Sequence, residues 1–221
     1  MRLRQPWLSL EWLADGRRTW AFGAQGERQG AVRLERLEVD QGRLRLIAPH
    51  LGADIRAELG IAGTGPLPLA FRAQGRWRDH PFTAQGRSAS VLAWRGQATT
   101  RQRTPFPLDI RATAGKTSLW MAGGVAALAG FDGADLAVRL EGRNLADLYP
   151  LARLVLPATP PYAVSGRLRR EGARWQFSQI EGRLGRTDLA GALNFDDSRS
   201  VPLLSGSLRT RLLDIDDLAP M

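Results

Sequence analysis

The 221-residue chain contains no cysteine, which excludes a disulfide framework and thiol chemistry. It has only two histidines, His50 and His80. Both sit in turn-like surroundings (Ala48-Pro49-His50-Leu51 and Asp79-His80-Pro81) without further ligand types nearby, so they read as surface loop residues and not as a metal or acid–base pair. Long apolar runs are also missing. The longest, Leu119 to Phe131, is broken by Gly123, Gly124 and Gly130 and falls short of the ~20 residues that span a bilayer. The opening MRLRQPWLSLEWLADG is interrupted by Gln5, Pro6 and Glu11 and makes a poor signal peptide. No Gly-x-Ser-x-Gly, phosphate-cradling loop or dinucleotide fingerprint occurs. The acidic cluster Asp214, Asp216 and Asp217 lacks the glycine and glutamate of a calcium loop and reads as a strand end and a polar turn. These absences predict a non-enzymatic chain with no metal and no cofactor.

What remains is glycine, arginine and alternation. Glycine is 24 of 221 residues and the net charge is +9; of the 31 basic residues only Lys116 is lysine. A basic chain invites a nucleic-acid reading. Here, however, the arginines (Arg43, Arg45, Arg72, Arg76, Arg167, Arg169) are spread along the polar parity of successive apolar–polar runs. They are not gathered on one patch with stacking aromatics, so no nucleic-acid partner is expected. Anionic lipid head groups suit such charge better, at roughly 1 kcal/mol per basic residue near the surface.

Period-two alternation, the mark of a strand with one buried and one wet face, recurs along the chain. Residues 7–22 read as a hairpin around Ala14-Asp15-Gly16-Arg17. Between 31 and 60 lie three strands, the first slipping phase between Leu34 and Leu37 as at a bulge. Residues 61–68 form a loop that could divide the chain. LAFRAQGRW (69–77), PFTAQGR and SVLAWRGQAT follow, then a loop over 101–107, PLDIRATAG (107–115), TSLWMAG and ADLAVRLEG. Only 144–156 looks helical, capped by Asn144, and Pro150 shortens or bends it. Strands return at Tyr162, Val164 and Leu168, at Trp175 and Phe177, and at Leu189 and Leu193, with turns at Glu171-Gly172 and Gly185-Arg186-Thr187. The pair Gly-Arg recurs at 16, 42, 75, 86, 142, 166, 182 and 185; its irregular intervals make it a strand–turn idiom and not a fixed-period solenoid. Gly123-Gly124 reads as turn chemistry between strands.

TPPYAVSGRLRR, a Trp-x-Phe strand, EGRLGRTDLAGAL and LRTRLLDIDDLAP, in that order, resemble the C-terminal region of the AsmA family, large envelope proteins of Gram-negative bacteria. GRNLADLYPLARLVLPATPPY (142–162) is similar to the family's lead-in. Members usually carry Gly-Asp-Ser-Asp-Leu where this chain has Gly185-Arg186-Thr187-Asp188-Leu189, a departure at two positions. The match is strongest over 135–221; upstream it is one of texture. The resemblance implies a portion of a longer protein whose membrane helix lies elsewhere, periplasmic and anchored to the inner membrane.

Almost no helix is available to cover the apolar sides of about a dozen strands, so something else must. Two sheets can cover each other as a sandwich, which would make an interaction or assembly module without lipid. Alternatively, one long antiparallel sheet can curl into a trough. The family resemblance favours the trough: an all-β, elongated single unit, monomeric, whose interior carries phospholipid acyl chains and serves outer-membrane maintenance. The expected lining is Leu69, Phe71, Leu108, Ile110, Leu136, Val138, Leu140, Val164, Leu168, Trp175, Phe177, Leu189 and Leu193.

Overall fold

Short alternating segments joined by polar or glycine turns cannot bury their apolar side locally, so they pair edge to edge. A computed structural model describes residues 2–13, 15, 17, 19, 38–89, 105–126, 131–149, 157–198 and 201–218. Its strands are β1 (Arg2–Arg4), β2 (Trp7–Glu11), β3 (Glu38–Asp40), β4 (Gly42–Ala48), β5 (Ala53–Ile61), β6 (Leu69–Trp77), β7 (His80–Ser88) and β8 (Phe106–Ala114). They continue with β9 (Thr117–Val125), β10 (Asp135–Gly142), β11 (Tyr162–Glu171), β12 (Arg174–Leu184), β13 (Thr187–Asp196) and β14 (Leu203–Arg209). Twelve of them form one curled, unclosed sheet in the order β14 to β4 and then β2, while β1 and β3 pair separately. From β4 to β14 every pairing is antiparallel between sequence neighbours. The described strands thus build a single curled layer, as the trough requires, and not two sheets facing each other.

The N-terminal edge departs from the expected meander. β2 pairs parallel to β4, and β1 parallel to β3, so the N-terminal segment runs beside the β3–β4 segment in the same direction, and only β2 joins the large sheet. Between the two parallel pairs the chain bulges on both sides at once: Gln5 and Gln41 have φ of 48° and 53°, and their side-chain amides bond each other at 3.2 Å. Pro6, which has no N–H to give, accepts the Arg43 amide at 2.8 Å. The base of the expected 7–22 hairpin is present as well, since Leu13 donates to the Arg17 carbonyl and Thr19 to the Glu11 carbonyl. Its return arm from 20 onward lies outside the described residues, as do the strand and phase slip expected over 31–37, the strand over 90–99 and most of the 101–107 loop.

The loop at 61–68 closes a hairpin inside the sheet, with the Ala62 amide bonded to the Pro68 carbonyl and Ile61 paired with Leu69. Asn144 caps as expected: its Oδ1 accepts from the Ala146 amide at 2.9 Å and from the Thr159 amide at 3.1 Å. What it caps is a 3-10 turn, Leu145–Leu148; residues 150–156 lie outside the described residues. The Asp214–Asp217 segment is not a strand end, because β14 stops at Arg209 and a 3-10 turn occupies Ile215–Leu218.

Glycine is where the turn reading fails. Gly75, Gly86, Gly166 and Gly182 lie inside β6, β7, β11 and β12, and Gly123-Gly124 lies inside β9. These are not turns. At Gly75 (φ 152°) and Gly123 (φ 148°) the backbone takes a conformation that side-chain-bearing residues avoid. A Cβ there would collide with the carbonyl oxygen of Asp54 or Asp135 on the next strand. Such glycines let adjacent backbones approach and bend the sheet, and repeated bends of this kind curl it. In the in-strand Gly-Arg pairs the glycine faces the apolar side and the arginine the polar side.

Candidate functional site

The register decides which side chains share a face. From β6 across β7, β8 and β9, Phe71 stands opposite Gly86, Gly86 opposite Ile110, and Ile110 opposite Met121. The same side continues through Val138 to Gly166. One row along, Leu69, Ser88, Leu108, Gly123, Leu136, Leu168, Phe177, Leu193 and Gly206 succeed one another. Leu140, Val164, Gly182 and Leu189 form another row, and Trp175 lies opposite Phe195. All thirteen expected lining residues therefore fall on one continuous face of one sheet.

That continuity depends on a bulge the alternation does not announce. In β12, Trp175 and Phe177 have odd parity whereas Ile180 and Leu184 have even parity. The register shifts between Phe177 and Ile180, where Gln179 has φ 53°. The extra residue keeps both halves of the strand facing the same way.

Burial divides the thirteen. Leu69 (2% exposed), Leu108 (2%), Leu136 (1%) and Val138 (9%) are buried. The last three belong to a dry cluster with Phe106, Val125 and Ala134, against which Phe131 and Ala89 pack. Phe71, Ile110, Leu140, Val164, Leu168, Trp175, Phe177, Leu189 and Leu193 are half-buried and keep reachable surface. The opposite face is the wet one: in β11, Ala163, Ser165, Arg167 and Arg169 are exposed, although alanine is apolar. Ion pairs stitch that face across strands, with Arg45 on Asp54 and Arg167 and Arg169 on Asp135. The Arg167 guanidinium holds the Asp135 carboxyl below its ordinary range, and Arg45 does the same for Asp54.

Sequence reasoning missed a lane of small side chains. Ala57, Ala73, Ala84 and Ala112 stand opposite one another on β5 to β8, half-buried and flanked by the row of Leu59, Phe71 and Ile110. The lane runs across the strands, along the length of the sheet, and meets Leu119 on β9. Nothing in the local pattern marks it, because an alanine in one strand becomes part of a lane only once the register is known.

The turn and tail of the family-like motif are joined to each other. The Asp217 carboxylate accepts from the Arg186 amide (2.8 Å), the Thr187 amide (2.7 Å) and the Thr187 hydroxyl (2.8 Å). Asp188 Oδ1 accepts from the amides of Arg211 and Leu212 and from the Thr210 hydroxyl. The motif residues are thus a clasp holding 210–217 against the β12–β13 turn. His50 packs edge-on to Trp12 at 4.9 Å between ring centroids.

No family model matches the chain, and no solved structure matches it. It is similar to AsmA family protein YhjG of Escherichia coli strain K12, at 28% identity over 257 residues covering 98% of this chain. The chain is AsmA-like. It spans 37% of the length of that curated relative. Among the described residues of this AsmA-like chain, no helix is long and apolar enough to cross a membrane.

Proposed function

We propose that this chain is a non-enzymatic stretch of β-trough whose apolar face carries phospholipid acyl chains. It would act in the periplasm of a Gram-negative envelope, within a longer inner-membrane-anchored protein that helps maintain the outer membrane. The observation that carries the reading is the apolar face itself: it is continuous from β4 to β14, and those strands belong to one curled, unclosed sheet. Burying an acyl chain releases ~0.8 kcal/mol per CH₂, so a sixteen-carbon chain gains on the order of 10 kcal/mol. Where that face keeps reachable surface, neighbouring positions differ little, so a chain can move along it without a deep trap. The alanine lane gives such a chain a shallow track between bulkier rows.

Lipid extraction and native mass spectrometry of the purified chain test this reading. Phospholipid should co-purify, and Ala73→Phe, which fills the lane, should reduce its amount while the circular dichroism of the sheet persists. A folded wild-type protein free of lipid, and unable to take up a fluorescent fatty acid, would overturn it.

A further inference from the structure

The opposite face has its own cavity. Over β4 to β8 the Arg-bearing side holds a cleft of about 700 Å³, a size typical of small-molecule sites. One side of it is a cross-strand row in strict register, Arg43, Glu58, Arg72, Gln85 and Arg111, with Ala57, Ala73, Ala84 and Ala112 between that row and the next. All five residues of the row are exposed, and among the described residues none of the three arginines is ion-paired. This distinguishes them from Arg45, which is held by Asp54.

We propose that Arg72, Gln85 and Arg111 form a binding site for a phosphate ester that carries free hydroxyl groups. Gln85 lies between the two arginines, one strand spacing of about 4.8 Å from each. An arginine side chain is longer than that gap, so both guanidiniums can close over Gln85 without moving the backbone. Two planar forks then meet one phosphate, whose negative charge they offset, with bidentate geometry that an ammonium cannot reproduce. Glu58, beyond Arg72, repels an anion from that end of the row and fixes the phosphate on the Gln85 side. In the adjoining row stand Gln74, Thr83 and Thr113, the two threonine hydroxyls bonded to each other at 2.8 Å. These amide and hydroxyl groups suit the hydroxyls of an esterified polyol or sugar. A nucleic-acid strand would call for successive stacking aromatics, whereas this row has Trp7 beside Arg43 at one end and Trp120, whose indole N–H is bonded to Asp109, beside Arg111 at the other.

This inference is independent of the lipid-trough reading, because it concerns the other face. Isothermal titration of the 221-residue chain with glucose 1-phosphate should give saturable binding, and glucose should give none. Arg72→Gln and Arg111→Gln should each weaken binding roughly tenfold or more, and Arg111→Lys, which keeps the charge, should not restore it. The double variant Arg183→Gln/Arg209→Gln, on the same face but far along the sheet, should stay within about twofold of wild type. Co-sedimentation with phosphatidylglycerol vesicles distinguishes the source of the phosphate. Vesicle binding lost in Arg72→Gln assigns a lipid head group, and binding of the soluble ester alone assigns a free one. Failure of both probes to bind, equal loss in the distant double variant, or tighter binding of a single-stranded oligonucleotide would each overturn the proposal.

Discussion

Single side chains explain why the motif near the C-terminus takes the form it does. Asp217 is 7% exposed. Burial pushes its carboxyl up, but the Thr187 hydroxyl and the amides of Thr187 and Arg186 outweigh that and hold it below its ordinary value. Asp188 is lowered chiefly by the Leu212 amide and the Thr210 hydroxyl. Carboxyls depressed in the folded state stabilise it above their unfolded value of about 3.9, and that contribution is lost as pH falls through the folded values. Thermal melts from about pH 7 down to pH 3 should therefore show wild type losing stability below about pH 4. Asp188→Ala/Asp217→Ala should start lower, by on the order of 5 °C at neutral pH, and follow a flatter curve. Parallel pH profiles would show that the clasp contributes nothing. At Gly75 the argument is steric: Gly75→Ala places a Cβ against the Asp54 carbonyl in a backbone conformation at φ 152°. It should cost roughly 1–3 kcal/mol in urea denaturation, whereas the same change at Gly60, where a Cβ meets nothing, should be nearly neutral.

At the scale of strands, the two faces make a parity test. Val164→Glu and Leu168→Arg put charge on the half-buried side of β11, and both should reduce lipid recovered with the protein. A glutamate at Arg167 or Arg169, on the exposed side, should leave recovery close to wild type; equal losses at both parities would contradict the assignment of faces. This parity was legible in the sequence because alternation within a strand is a local property: Leu136, Val138 and Leu140 announce their shared side without any partner. What stayed hidden depends on partners. The Ala57–Ala73–Ala84–Ala112 lane exists only through register, and so does the Arg72–Gln85–Arg111 row, whose members look like scattered surface residues when met in order. In-strand glycines resemble turns because glycine serves both purposes, and only the neighbouring backbone, Asp54 beside Gly75 or Asp135 beside Gly123, reveals which. The parallel seat of β2 against β4 is equally non-local: Leu8 and Leu10 show a strand, but nothing near them names its neighbour.

For the molecule as a whole, the consequence of one unclosed layer is that strands depend on sequence neighbours and on little else. Such a chain behaves like a one-dimensional array, in which stability is a sum of local and nearest-neighbour contributions and ends open before middles. The buried cluster of Phe106, Leu108, Val125, Ala134, Leu136 and Val138 sits on β8, β9, β10 and the turn before β10, near the centre of the strand order. At one end, every residue of β14 is exposed, including Leu203, Leu204 and Leu208. At the other, Trp7 and Leu8 of β2 are 69% and 51% exposed. Amide hydrogen exchange followed by mass spectrometry should accordingly show a gradient, with slowest exchange in peptides from β8 to β11 and fastest in β14 and β2. Leu136→Ala, which hollows the centre, should cost about 2–5 kcal/mol and speed exchange in β9 to β11 before it reaches β4 or β13. If all strands exchanged at one common rate, and Leu136→Ala raised that rate everywhere equally, the sheet would be a single cooperative unit. The picture of neighbour-by-neighbour support along an open trough would then fail.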